Sequence, residues 1–88
     1  YWRDKAGHEI DFVWKRRGQP PVAIECKWQR KEFDPASLKS FRTRHPEGEN
    51  LLVTADGGSS ETVRDGSLKI TQVNFDSFQG WIQSRLGL

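Results

Sequence analysis

The run Val22-Ala23-Ile24-Glu25-Cys26-Lys27 constrains this chain more than any other stretch. It is apolar enough for a buried strand, yet it ends in an acid and a base two residues apart. Side chains alternate faces along a strand, so Glu25 and Lys27 project to one side while Ile24 and Cys26 face the other. Burying ionised groups is costly unless they are paired or bind an ion. Two opposite charges at the end of such a strand therefore point to chemistry there rather than to architecture.

Upstream, Glu9-Ile10-Asp11-Phe12-Val13-Trp14 alternates in the same way. As one strand over about Glu9 to Arg16, it has Glu9, Asp11 and Val13 on one face and Ile10, Phe12 and Trp14 on the other. The link Lys15-Arg16-Arg17-Gly18-Gln19-Pro20-Pro21 is short and rich in turn formers, which predicts an antiparallel hairpin. With the turn near Gly18, paired residue numbers sum to about 37, which sets Asp11 opposite residues 25 to 27. Cross-strand neighbours on one face are roughly 5 Å apart, so the hairpin alone gathers Asp11, Glu25 and Lys27.

Taken in order, Tyr1-Trp2-Arg3 reads as the end of a first strand, and Val22 to Trp28 as the third. Asp34 at the N-cap with Pro35 at the first helical position starts a helix, which runs to about Arg44 before Pro46. Its Leu38, Phe41 and Ala36 face the sheet, and Lys39, Arg42 and Arg44 lie in or near solvent. Asn50 to Thr54 is a fourth strand, joined to the third by a right-handed crossover and therefore parallel to it. Asp56 to Gly66 reads as a mobile loop and Leu68 to Val73 as a short fifth strand. Asp76 then caps a last helix with an apolar stripe of Phe78, Trp81, Ile82 and Leu86. The fold class is α/β, a mixed sheet of one antiparallel hairpin plus a β-α-β crossover, flanked by helices.

Eighty-eight residues suffice for one domain with a modest core. No run is long and apolar enough to cross a bilayer, and no segment of this sequence has the basic start and apolar middle expected of a signal peptide. Cys26 is the single cysteine, so no internal disulfide forms, which fits a reducing, cytoplasmic setting. The start at Tyr1 in mid-pattern and the lack of methionine suggest a piece of a longer protein. Residues 1–45 carry 11 Lys/Arg against 6 Asp/Glu, and residues 46–88 carry 3 against 6. A basic half that contains the hairpin suits a polyanion, against the plainer reading of a solvated face.

Phosphodiester hydrolysis needs charge neutralised at the phosphate and a deprotonated water in line with it. Asp11 and Glu25, with the backbone carbonyl of Cys26, offer hard oxygen ligands to Mg²⁺ or Mn²⁺. Lys27 beside them orients water and offsets developing negative charge. Glu9 shares the Asp11 face and is a further candidate ligand, directly or through water. Gln29 continues the face of Glu25 and Lys27 and is a candidate contact to substrate or water. Arg30, Lys31, Lys39 and Arg42 are candidates for a phosphate track. Against these stands a partly exposed salt-bridge trio of Asp11, Glu25 and Lys27. His8 and His45 read as surface residues, since neither has zinc-ligand spacing. Cys26 reads as a small core residue, and Trp14, Trp28 and Trp81 as core or edge packing. Trp2 is the tryptophan weighed for stacking on a base.

Asp11 followed fourteen residues later by Glu25-Cys26-Lys27 resembles the motif of the PD-(D/E)xK nuclease superfamily. The fuller run Tyr1-Trp2-Arg3, Gly7 to Val13 and Ile24 to Lys27 is similar to the C-terminal DUF4143 domain of bacterial and archaeal AAA-type ATPases. The resemblance is specific over residues 1–54. It implies a restriction-endonuclease-like core whose first helix, with a further acid, lies upstream of Tyr1. It also implies metal-dependent DNA cleavage by Asp11, Glu25 and Lys27, within a larger ATPase. No Gly-x-x-x-x-Gly-Lys-Ser/Thr occurs, so ATP chemistry belongs elsewhere in such a chain. Two other readings stay open: a nucleic-acid-binding module that cuts little or nothing, and a regulatory or oligomerisation domain, a homo-oligomer included.

Overall fold

Three neighbouring parallel strands form the centre of the sheet, the first two because their sequences are apolar on both faces and helices are available to cover each. The computed structural model describes residues 1–58 and 60–87. The elements are β1 (Trp2–Arg3), β2 (Glu9–Ile10), β3 (Phe12–Trp14), β4 (Val22–Lys27), a 3₁₀ turn (Arg30–Glu32), α1 (Ala36–Arg44), β5 (Asn50–Thr54), β6 (Glu61–Asp65), β7 (Leu68–Asn74) and α2 (Phe75–Leu86). β1 and β2 make a two-stranded antiparallel sheet, and the others a five-stranded sheet in the order β3-β4-β5-β7-β6. β4, β5 and β7 run parallel, and β3 and β6 pair antiparallel at the edges. The hairpin and crossover of the expected α/β fold are both present.

Alternation sorts the core into two layers. Ala23, Leu52 and Ile70 face α1 and pack with its Leu38 and Phe41. Val22, Ile24, Leu51, Val53 and Val73 face α2 and pack against Phe78 and Trp81. No helix among the described residues is long and apolar enough to cross a membrane.

Several boundaries differ from expectation. The single strand over Glu9 to Arg16 is broken at Asp11, which bends between β2 and β3. Ile10 consequently packs in the α1 layer and Trp14 in the α2 layer, although simple alternation put them on one face. β4 ends at Lys27 and α1 begins at Ala36, whose N–H donates to the Asp34 carboxylate at 2.9 Å. The expected loop Asp56 to Gly66 contains β6, a polar edge strand turned back onto β7 at Gly66, where φ is +61°. Asp65-Gly66 is the hairpin signal that marks it. Ser59, in that expected loop, lies outside the described residues. α2 is capped by Asn74, which accepts from the Ser77 N–H at 2.9 Å, and not by Asp76. Leu86, expected in its apolar stripe, is exposed.

Arg42 is the largest correction. Expected near solvent, it is only 8% exposed. Its Nε donates to Asn50 Oδ1 at 2.7 Å, and its two Nη atoms donate to the carbonyls of Pro21, His45, Glu47 and Glu49. The five donors of one guanidinium thus fasten the turn between α1 and β5 to the residue ahead of β4, while the Glu49 carbonyl also accepts from the Ala23 N–H at 3.0 Å. Gly48 (φ +125°) sits against it, and a Cβ there would lie 2.1 Å from the Pro21 carbonyl oxygen.

Candidate active site

The broken strand and the end of β4 build one site. The observed β3–β4 register pairs Phe12 with Ile24 and Val13 with Ala23, so its continuation sets Asp11 opposite Glu25. At that level the two strands are joined through side chains. The Asp11 N–H donates to Glu25 Oε1 at 3.0 Å, and Asp11 Oδ2 accepts from the Cys26 N–H at 2.8 Å. Each carboxylate therefore has one oxygen engaged by backbone and a second left for other partners. The N–H and C=O of one strand residue point toward the same neighbouring strand, so the Cys26 carbonyl is also on the Asp11 side.

Asp11, Glu25 and Lys27 line one polar cleft of about 220 Å³, together with Gly7, Glu9, Glu32, Asp34 and Ser37. Glu25 is 4% exposed. Its burial pushes the carboxyl above the usual range, opposed by the Asp11 N–H and by Lys27 and reinforced by the Asp11 and Glu9 charges. The same burial, with Asp11 and Glu25 alongside, raises the Cys26 thiol, which suits a packing role rather than a nucleophile. Lys27 makes no ion pair among the described residues, so the salt-bridge trio is not what holds these groups.

The other expected residues are dispersed. Glu9 lines the cleft but is half-exposed and pairs with Arg3 at 3.4 Å. Gln29 does not continue the strand; it opens the 3₁₀ turn, its N–H donating to Glu32 Oε1 at 2.8 Å. Arg30 faces Glu61 at 3.6 Å, and Lys39 pairs with Asp65 at 2.9 Å. Lys31 is exposed, and Arg42 has no donor to spare for a phosphate. The cleft gains Glu32, Asp34 and Ser37 instead, from the turn and the start of α1. Asp34 reads in the sequence as a cap, and nothing local marks Glu32 or Ser37, because the β4–α1 connection alone folds them over the strand end.

Among the described residues, no three of His, Cys, Asp and Glu are grouped closely enough to hold a metal ion by themselves. The donor set nevertheless fits Mg²⁺ or Mn²⁺. Such ions are commonly held by one or two carboxylates, with water and phosphate oxygens completing the octahedron. Asp11 and Glu25 provide that pair, with the Cys26 carbonyl beside them. A cation would also offset the charge that burial makes costly at Glu25.

The sequence model of the family described as "Domain of unknown function (DUF4143)" matches residues 1–74. No curated protein and no solved structure matches the chain.

Proposed function

The chain belongs to the DUF4143 family, and from that premise we propose that it carries a divalent-metal-dependent centre for phosphodiester hydrolysis of DNA. The observation that supports this most is the reciprocal tie between Asp11 and Glu25 with Lys27 in the same cleft. It orients two carboxylates without neutralising either of them and leaves a lysine ammonium unpaired beside them. The resemblance to PD-(D/E)xK nucleases adds to the reading, since it rests on these same three residues.

In this mechanism Asp11, Glu25 and the Cys26 carbonyl would hold Mg²⁺ or Mn²⁺. When bound, that ion supplies charge neutralisation at a phosphate and acidifies water. The backbone bonds to Asp11 and Glu25 fix the carboxylates before substrate arrives, so little reorganisation is left for the reaction. Lys27 donates hydrogen bonds from its ammonium to attacking water and to the phosphate oxygens as charge develops there. Lys31, exposed and in no ion pair among the described residues, adds sequence-independent attraction to the DNA backbone, whereas Arg30 and Lys39 would first give up Glu61 and Asp65. The resemblance further implies an AAA-type ATPase portion in the same polypeptide and a cytoplasmic location.

One observation favours a second reading, a domain that binds nucleic acid or regulates without cutting. No group of three metal-ligating side chains is present among the described residues. A gel assay at low salt on linear, supercoiled and single-stranded DNA, with and without Mn²⁺ or Mg²⁺, decides between them. Cleavage that requires metal and is lost in Glu25→Gln and Lys27→Ala is the expected result. DNA binding without cleavage, in the domain and in a chain extended upstream, would instead establish the second.

A further inference from the structure

Trp28 is 71% exposed and Phe75 45% exposed, and their rings face each other at 6.1 Å between centroids and 50° between planes. The other tryptophans are spent on packing. Trp14 and Trp81 lie 6.3 Å apart over the α2 layer, and Trp2 meets Phe41 edge-on at 5.2 Å. The tryptophan left exposed is therefore Trp28, which sequence reading assigned to packing, and not Trp2.

The place of this pair is as specific as its exposure. Trp28 follows Lys27 at the end of β4, and Phe75 follows Asn74 at the end of β7, with the end of β5 between them. The carboxyl ends of parallel strands are where open α/β sheets take ligands. The Trp28 backbone is fixed there, since its carbonyl accepts from the Ala55 N–H at 3.1 Å and the Arg30 N–H donates to Asp56 at 2.9 Å. A large aromatic face on a pinned backbone costs little entropy when it binds. On either side of it in the chain stand Lys27 and Lys31, neither in an ion pair among the described residues.

We infer that Trp28 and Phe75 form a stacking platform for an unpaired nucleobase, so that the site takes single-stranded DNA or a single-stranded end. The inference rests on the proposed function for its substrate class and names the form of that substrate. In a duplex the base faces are occupied by their neighbours, whereas each unstacked base offers its face to an aromatic ring. Lys27, in the cleft at the same strand end, and Lys31, three residues beyond Trp28, supply positive charge to this end of the sheet for the backbone of the strand that carries the base.

The test is fluorescence anisotropy of a labelled oligothymidylate and of a duplex of equal length, at low salt in EDTA. The wild-type chain is compared with Trp28→Ala, Trp28→Phe and Phe75→Ala, each checked for folding by circular dichroism. Expected is a preference for the single strand, which Trp28→Ala weakens about 5- to 150-fold. Trp28→Phe retains most of it, and duplex binding changes little. Equal affinity for both forms, or an unchanged single-strand affinity in Trp28→Ala, overturns the platform. So does a loss of self-association in sedimentation without loss of DNA affinity, which would assign the pair to a second copy of the chain. Metal-dependent cleavage indifferent to Trp28 would leave the nuclease reading intact without the platform. Single-strand binding through Trp28 with no cleavage under any metal would do the reverse.

Discussion

Asp11 and Glu25 hold each other through the backbone: Glu25 Oε1 accepts from the Asp11 N–H at 3.0 Å, while Asp11 Oδ2 accepts from the Cys26 N–H at 2.8 Å. Two side chains thus replace ladder bonds where the strand bends, and the acids of the candidate centre are also structural. Removing a side chain here differs from removing its charge. Asp11→Ala leaves the part-buried Cys26 N–H without its acceptor and should cost about 1–3 kcal/mol in urea unfolding. Asp11→Asn keeps an acceptor oxygen and should cost clearly less, yet lose metal binding and cleavage as completely. Equal unfolding midpoints for the two variants would argue against the tie.

Glu25 makes the pH dependence of stability informative. Its folded-state carboxyl titrates above the ordinary value of 4.5, chiefly through burial. The folded chain therefore holds this proton longer than the unfolded chain, and the contribution is fully present below that ordinary value and lost as pH rises through the raised one. Glu25→Gln keeps an oxygen for the Asp11 N–H and never ionises. In EDTA its melting temperature should exceed wild type by a few degrees at pH 7, and the gap should close near pH 4. Mn²⁺ should stabilise wild type alone, by about 2.7 kcal/mol at a hundred times its dissociation constant. A melting scan across pH, with and without Mn²⁺, reads all three.

Lys27 separates metal binding from chemistry. Its ammonium lies on the same cleft as both carboxylates without pairing with either. Lys27→Met removes a positive charge that opposes cation entry, so Mn²⁺ affinity should stay equal or rise in calorimetry. Cleavage should fall about 10²–10³-fold, the usual cost of losing one donor to developing oxyanion charge. Loss of Mn²⁺ affinity in that variant would reassign Lys27 to building the site.

Arg42 is a test of architecture. Arg42→Ala strands Asn50 Oδ1 and the Pro21, His45 and Glu47 carbonyls, while the Glu49 carbonyl keeps the Ala23 N–H, and Arg42→Lys replaces a five-donor fork with three donors. The first should cost about 3 kcal/mol or more, and the second a substantial part of that. Gly48→Ala should be similarly damaging, since its Cβ would collide with the Pro21 carbonyl. Denaturant midpoints near wild type in these variants would contradict the assigned bonds.

Asp4 makes the β1–β2 hairpin sensitive to acid. Its carboxylate accepts from the Ser40 hydroxyl at 2.5 Å, from the Ala6 and His8 N–H groups at 2.9 Å, and lies 2.8 Å from His8 Nδ1. The Ser40 bond, followed by those of His8, holds the carboxyl well below its ordinary 3.8. The sign is opposite to that of Glu25: stability is present above the ordinary value and lost as pH falls through the lowered one. Ser40→Ala and Asp4→Asn should each flatten the loss of melting temperature below pH 4. A slope as steep as wild type in both would place the acid sensitivity elsewhere.

Much of the site is legible in the sequence because it is local. A hairpin between two alternating runs sets Asp11 against Glu25, and a period of two puts Lys27 on the same face; neither needs a distant contact. Ala36 to Arg44 and Asn50 to Thr54 are legible for the same reason, through Asp34-Pro35, Pro46 and a continuous apolar strand. What the sequence did not disclose depends on which group ends beside which. Arg42 resembles any surface arginine until Pro21, the turn after α1 and the start of β5 bring five acceptors around it. Trp28 resembles any core tryptophan until β4 stops one residue before it. The bend at Asp11 arises because side chains of two strands satisfy backbone groups that a regular ladder would have paired. Alternation and propensity are written along the chain; competition for hydrogen bonds and for burial is decided only when distant segments meet.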